Sequence, residues 1–148
     1  PNSVVLVILV LAKNCVIKRG LVMSRRDELV AEVLAVLHDY EGALESGTRD
    51  DMQAHVHLPV AYITEDEVQM RERYPFDPQK LREMMGFHHV KAEYEVTHVD
   101  ERKAHVVITS TRWREDDSPT EYIEAFYILQ KRDAVWKIAA FSGIRTAA

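Results

Sequence analysis

AFYILQKRDAVWKIAAFSGI, residues 125–144, has the texture of a β-hairpin. Two apolar stretches rich in β-branched and aromatic residues flank Arg132-Asp133, which suits a tight turn between two antiparallel strands. Working upstream, the same texture continues through PTEYIEAFYILQKR (119–132), AHVVITSTRWRE (104–115) and HVKAEYEVTHV (89–99). Asp116-Asp117-Ser118-Pro119 and Asp100-Glu101-Arg102-Lys103 supply the turns between them. Four long strands in succession predict an antiparallel meander, and one face of it must be covered.

The covering elements lie ahead of the meander. From Ser24 the apolar residues Leu29, Val30, Val33, Leu34, Leu37, Tyr40 and Leu44 recur at spacings of three and four, the period of a helix face. Ser24 is the expected N-cap, with Asp27 at a capping-box-like spacing, and Gly47 is the expected left-handed stop. Thr48 caps a second short helix through Ala54, and Pro59 ends helical propagation. VAYIT (60–64) and VQMRERY (68–74) then read as a hairpin around Glu65-Asp66-Glu67, and residues 79–86 as a third helix with Leu81, Met84 and Met85 inward. Helices first and strands last make the chain α+β.

The 148 residues, 47% of them apolar, suit a single core. The domain is expected over residues 23–148, with residues 1–22 read either as an N-terminal extension ahead of Met23-Ser24-Arg25-Arg26 or, from their β-branched content, as an extra strand or helix packed on the domain. VVLVILVLA (4–12) is far shorter than the roughly 20 residues of a membrane span, so no membrane partner is expected. A net charge of −5 with mixed signs argues against nucleic acid as a partner. One cysteine, Cys15, leaves no internal disulfide and fits a cytoplasmic setting. No Gly-rich phosphate loop and no Gly-x-Ser-x-Gly elbow occur.

ALESGTRDDMQAHVHLPVAYIT (43–64) and the closing AFYILQKRDAVWKIAAFSGI resemble the nuclear-transport-factor-two-like superfamily, nearest its SnoaL-like and ketosteroid-isomerase-like members. The likeness runs from Met23 to about Ile144. It implies a curved antiparallel sheet wrapped around the long helix, a cystatin-like α+β barrel forming a cone with an apolar pocket. It also implies an apolar small molecule as ligand, no cofactor, and a homodimer through the outer sheet face. The superfamily holds isomerases, cyclases, dehydratases and epoxide hydrolases beside non-catalytic binding and assembly domains, so turnover stays open.

Catalytic members place a base carboxylate before a proline near the first strands. Here Leu58 precedes Pro59, and His57 is the nearest titratable group, able to exchange a proton near neutrality. The expected catalytic set is His57 as base, with Tyr62 and Glu124 as polarising groups. The expected pocket residues are Tyr40, His55, Tyr94, Arg112, Phe126 and Trp136. Glu124 shares a strand face with Tyr122, Phe126 and Ile128, and a pair with Arg112 is one reading of it; an exposed or dimer-facing ion pair is the other. Trp136, Ile138, Ala140 and Ser142 are expected to alternate inward, and Tyr94 shares one strand face with Ala92, Val96 and His98. His55-x-His57 on an extended strand would present two metal ligands. A third would have to come from His88, His89, His98 or Glu95 at no recognised spacing, so no metal is expected.

Overall fold

A computed structural model describes residues 23–148; the expectations for residues 1–22, Cys15 among them, fall outside it. The long helix α1 spans Arg25–Ser46, with the Ser24 hydroxyl accepting from the Asp27 amide at 3.1 Å. Its buried stripe is Leu29, Val33, Leu37, Tyr40 and Leu44. Each such aliphatic side chain stabilises the fold by about 1.5–3 kcal/mol on leaving water. Gly47 does end the helix, but with an extended backbone at φ −88°, not a left-handed one. The reason for glycine is close approach: a Cβ there would lie 2.5 Å from the Ala43 carbonyl oxygen. The reciprocal capping box belongs to the next helix, α2 (Arg49–Gln53), where Thr48 and Asp51 exchange both bonds. Arg82 closes the end of α1 from outside, donating to the carbonyls of Leu44, Glu45 and Gly47.

Strands β1 (Val56–Ile63) and β2 (Val68–Arg71) form the hairpin, and α3 (Pro78–Met85) follows, ending at left-handed Gly86, φ 66°. Met84 of α3 is exposed, contrary to the expected inward face; Pro78 is buried and Leu81 and Met85 half-buried, because so short a rim helix touches the core along one edge only. The meander is β3 (His89–Val99), β4 (Lys103–Trp113), β5 (Pro119–Arg132) and β6 (Val135–Ala147). The single sheet has the order β2-β1-β6-β5-β4-β3, antiparallel except for β1 beside β6. Because α1 packs against both β6 and the edge strand β3, the sheet must curve around it.

Two bulges correct the expected alternation. On β6 the pairing jumps from Ile128↔Ala140 to Leu129↔Ile138, leaving Ala139 unpaired. Trp136 and Ile138 therefore face inward as expected, but Phe141 takes the next inward place and Ser142 turns out. On β3 the extra residue is Thr97, so Ala92, Tyr94 and Val96 pack inward while His98 is exposed and Val99 packs on the core.

Candidate functional site

Four aromatic side chains meet in the concave side of the sheet, under α1. Tyr40 comes from α1, Tyr74 from the β2–α3 loop, Tyr127 from β5 and Phe141 from β6. Ring centroids of Tyr40 lie 6.2–6.3 Å from the other three, and Tyr127 meets Phe141 edge-on at 4.8 Å. The hydroxyl oxygens of Tyr40 and Tyr74 are 2.6 Å apart. Burial pushes the phenols of Tyr40, Tyr74 and Tyr127 well above their ordinary range. They are therefore neutral hydrogen-bonding groups and not phenolates.

Beside them a cavity of ≈ 20 Å³ is lined by Tyr62, Phe76, Arg112, Ile123, Ala125, Tyr127, Phe141, Gly143 and Arg145. That is space for about one water molecule. Arg112 is 4% exposed, and its Nη1 donates to Glu121 Oε2 at 2.7 Å. Its Nε has no partner among the described residues. At the mouth, Phe76 sits in a loop whose stem is held by Arg49, which donates to the carbonyl oxygens of Tyr74 and Pro75. The half-buried Phe76 ring meets Tyr74, Tyr62 and Phe141 at 5.4, 5.5 and 5.7 Å, with the Arg145 guanidinium carbon 4.3 Å above its centroid.

Of the residues picked from sequence, the structure brings Tyr62 and Arg112 to this cavity and Tyr40 to its aromatic wall. Tyr94 lies on the same concave face, edge-on to His38 at 5.6 Å, its phenol raised by burial and by the Glu41 carboxylate. Trp136 is buried away from the cavity and donates from Nε1 to Glu32 at 2.8 Å. Glu124 and Phe126 are on the convex face of the sheet. The partner of Arg112 is Glu121, not Glu124, because the β4–β5 register sets Arg112 opposite Glu121 and Thr109 opposite Glu124. His57 turns to the β5–β6 turn, its Nε2 2.8 Å from the Gln130 carbonyl oxygen. His55 lies edge-on to Tyr40 at 6.2 Å. Sequence reading missed Tyr74, Phe76, Tyr127, Phe141 and Arg145; the aromatics of YPFDP (74–78), fixed between prolines, were the available signal.

Burial lowers the pKa of both histidines. Asp39 partly opposes this and Lys137 reinforces it at His55; the Gln130 carbonyl and Asp133 oppose it and Arg132 and Lys137 reinforce it at His57. A folded-state value below the unfolded value of about 6.5 means the unfolded chain binds more protons as pH falls below that point. Stability should therefore drop as pH falls through 6.5 toward the lowered folded values. In urea titrations at several pH values, replacing both histidines with asparagine should flatten that slope; an unchanged slope would assign it to other groups.

Among the described residues no group of three or more His, Cys, Asp or Glu is arranged to hold a metal ion, and no helix is long and apolar enough to cross a membrane. No family model and no curated protein matches the chain. Solved structures do. A domain of unknown function with a cystatin-like fold from Nostoc punctiforme superposes with TM-score 0.63 at 16% identity, over 85% of this chain and 81% of that one. A nuclear-transport-factor-two-like protein of unknown function from Methylobacillus flagellatus gives 0.54 at 19%, over 84% and 96%. The hexachlorocyclohexane dehydrochlorinase LinA-type3 of Novosphingobium barchaimii gives 0.57 at 13%, over 83% and 91%. Identities this low carry the backbone arrangement and not the chemistry inside it: the chain has the nuclear-transport-factor-two-like, cystatin-like α+β fold.

Proposed function

We propose that the protein binds a small, mostly apolar molecule inside the cone, without turnover, and works as a homodimer in the cytoplasm. The observation that carries the binding reading is the convergence of polar groups on an otherwise sealed aromatic interior. Tyrosine hydroxyls and the Arg112 guanidinium are costly to bury, and a site of this kind, apolar walls with a few converging polar groups, is the usual form of a ligand pocket. Phe76 fills the mouth and is the wall that must move, since the remaining space is that of one water.

Proton transfer by His57, Tyr62 and Glu124 as an isomerase, cyclase, dehydratase or epoxide hydrolase has less support. That chemistry needs a base within hydrogen-bond reach of the substrate. The cavity is lined by two arginines, the hydroxyl-bearing rings of Tyr62 and Tyr127 and apolar groups, while His57 is held at the Gln130 carbonyl and Glu124 is on the convex face. Neighbours of the same fold include one named as a dehydrochlorinase and others of unknown function, so the fold does not choose between the readings. Dimerisation is supported by the exposed apolar side chains of the convex face, Val107 39%, Tyr122 48%, Phe126 37% and Ile144 61%. The cytoplasmic setting rests on the single cysteine of the chain.

The test is calorimetric titration of the protein and of Phe76→Ala with small aromatic probes: phenol, benzamide and benzoate. At least one probe should bind the unaltered protein. Phe76→Ala should bind it about tenfold tighter, because the displaced-ring state is then permanently populated. No binding by the unaltered protein sinks the reading. Sedimentation equilibrium of the same samples should give the dimer mass; a monomer at micromolar concentration removes the homodimer.

A further inference from the structure

We infer that the ligand's polar end is a carboxylate, held between the buried guanidinium of Arg112 and the guanidinium of Arg145, with an aromatic body in the place now filled by the Phe76 ring. This rests on the binding reading above and names the ligand class. Arg112 projects from β4 and Arg145 from β6, on either side of β5, with Arg145 opposite Ile123 and Arg112 opposite Glu121. Two strand spacings across the sheet and two residues along it separate their backbones, about 12 Å, and two long side chains converge across that gap. Both line the same cavity.

Their charges are not equivalent. Arg112 is answered by Glu121, so that pair is neutral as a whole, whereas Arg145 makes no ion pair among the described residues. The cavity thus presents one uncompensated positive charge, which matches a monoanion better than a dianionic phosphate. Arg112 Nε is a buried donor without an acceptor, a condition that costs about 1–3 kcal/mol and that an incoming carboxylate oxygen relieves. The aromatic body follows from Phe76. Its ring is framed edge-on by Tyr62, Tyr74 and Phe141 and capped by Arg145, an arrangement that would receive a second ring of the same size.

Titration of benzoate, benzamide and benzylamine tests this, the three probes sharing a ring and differing in charge. Benzoate should bind at least tenfold tighter than benzamide, and benzylamine should not bind. Arg145→Gln, at an exposed position whose change leaves the core intact, should weaken benzoate far more than benzamide, which loses only the contact of the guanidinium with its ring, and so erase most of the benzoate preference. Arg112→Lys, which keeps the charge beside Glu121 but removes Nε, should weaken benzoate in the same direction. Equal affinity for benzoate and benzamide overturns the carboxylate while leaving the binding reading standing. A benzoate preference that survives both substitutions overturns the two-arginine site. Silence from every probe overturns both the site and the reading beneath it.

Discussion

Replacing Glu121 with leucine is expected to lower the free energy of unfolding by about 3–5 kcal/mol, the usual result of leaving one member of a buried ion pair alone. The side chains of Arg112 and Glu121 are only 5% and 13% exposed, and their contact is a single 2.7 Å bond. Once Glu121 is gone the guanidinium has the Phe87 ring, 5.8 Å away, and no carboxylate. The double variant R112M/E121L should recover most of the loss, because removing both charges also removes the desolvation that the pair had to offset. Urea midpoints at constant m would show this. A single variant within about 1 kcal/mol of the parent would mean that water reaches the pair. The double variant keeps Arg145 and loses the Arg112 donors, so it should at the same time bind benzoate more weakly while retaining part of the preference over benzamide. A stable protein with a weakened benzoate preference would show that the pair is kept for the cavity and not for the fold.

The strand alternation of β4 and β5 was legible residue by residue, since period two survives wherever one face is dry. It told which residues share a face, and it set Arg112 and Glu124 on two strands correctly, but not which faces coincide. Register is a property of the pairing, and Glu121 opposite Arg112 follows from the β4–β5 ladder alone. The β6 error has a different cause. KIAAFS offers alanines at both 139 and 140, so the pattern itself does not reveal which residue is extruded, and Phe141 moved from the outer face to the core. Proximity to Pro59 in sequence makes His57 a candidate site residue. Its actual partner, the Gln130 carbonyl, is 73 positions away. Long helix, meander and turns are local signals; the lining of the cavity is assembled from five separate elements, with Tyr40 of a sixth beside it, and no window of sequence contains it.

Phe141→Ala is expected to be as costly as the loss of Glu121, about 3–5 kcal/mol, for an apolar reason. The ring is 1% exposed and touches Tyr40, Tyr74, Phe76 and Tyr127, so its removal opens a cavity bounded by four rings. In a chain of this size the melting temperature should fall by roughly 10 °C. How far the gap collapses depends on Phe76, the one neighbour on a rim loop and only half-buried. If Phe76 is the movable wall, it swings into the space left by Phe141, and the loss lies at the lower end of the range. Phe76→Ala alone should then cost clearly less than Phe141→Ala, because the Phe76 ring is part of a mouth and not of a close-packed floor. The enlarged Phe141→Ala cavity should also accept benzene. At a hundred times its dissociation constant benzene would restore about 2.7 kcal/mol, measurable as a rise in melting temperature. Equal destabilisation by the two substitutions would instead fix Phe76 as core, and a ligand would have no way in.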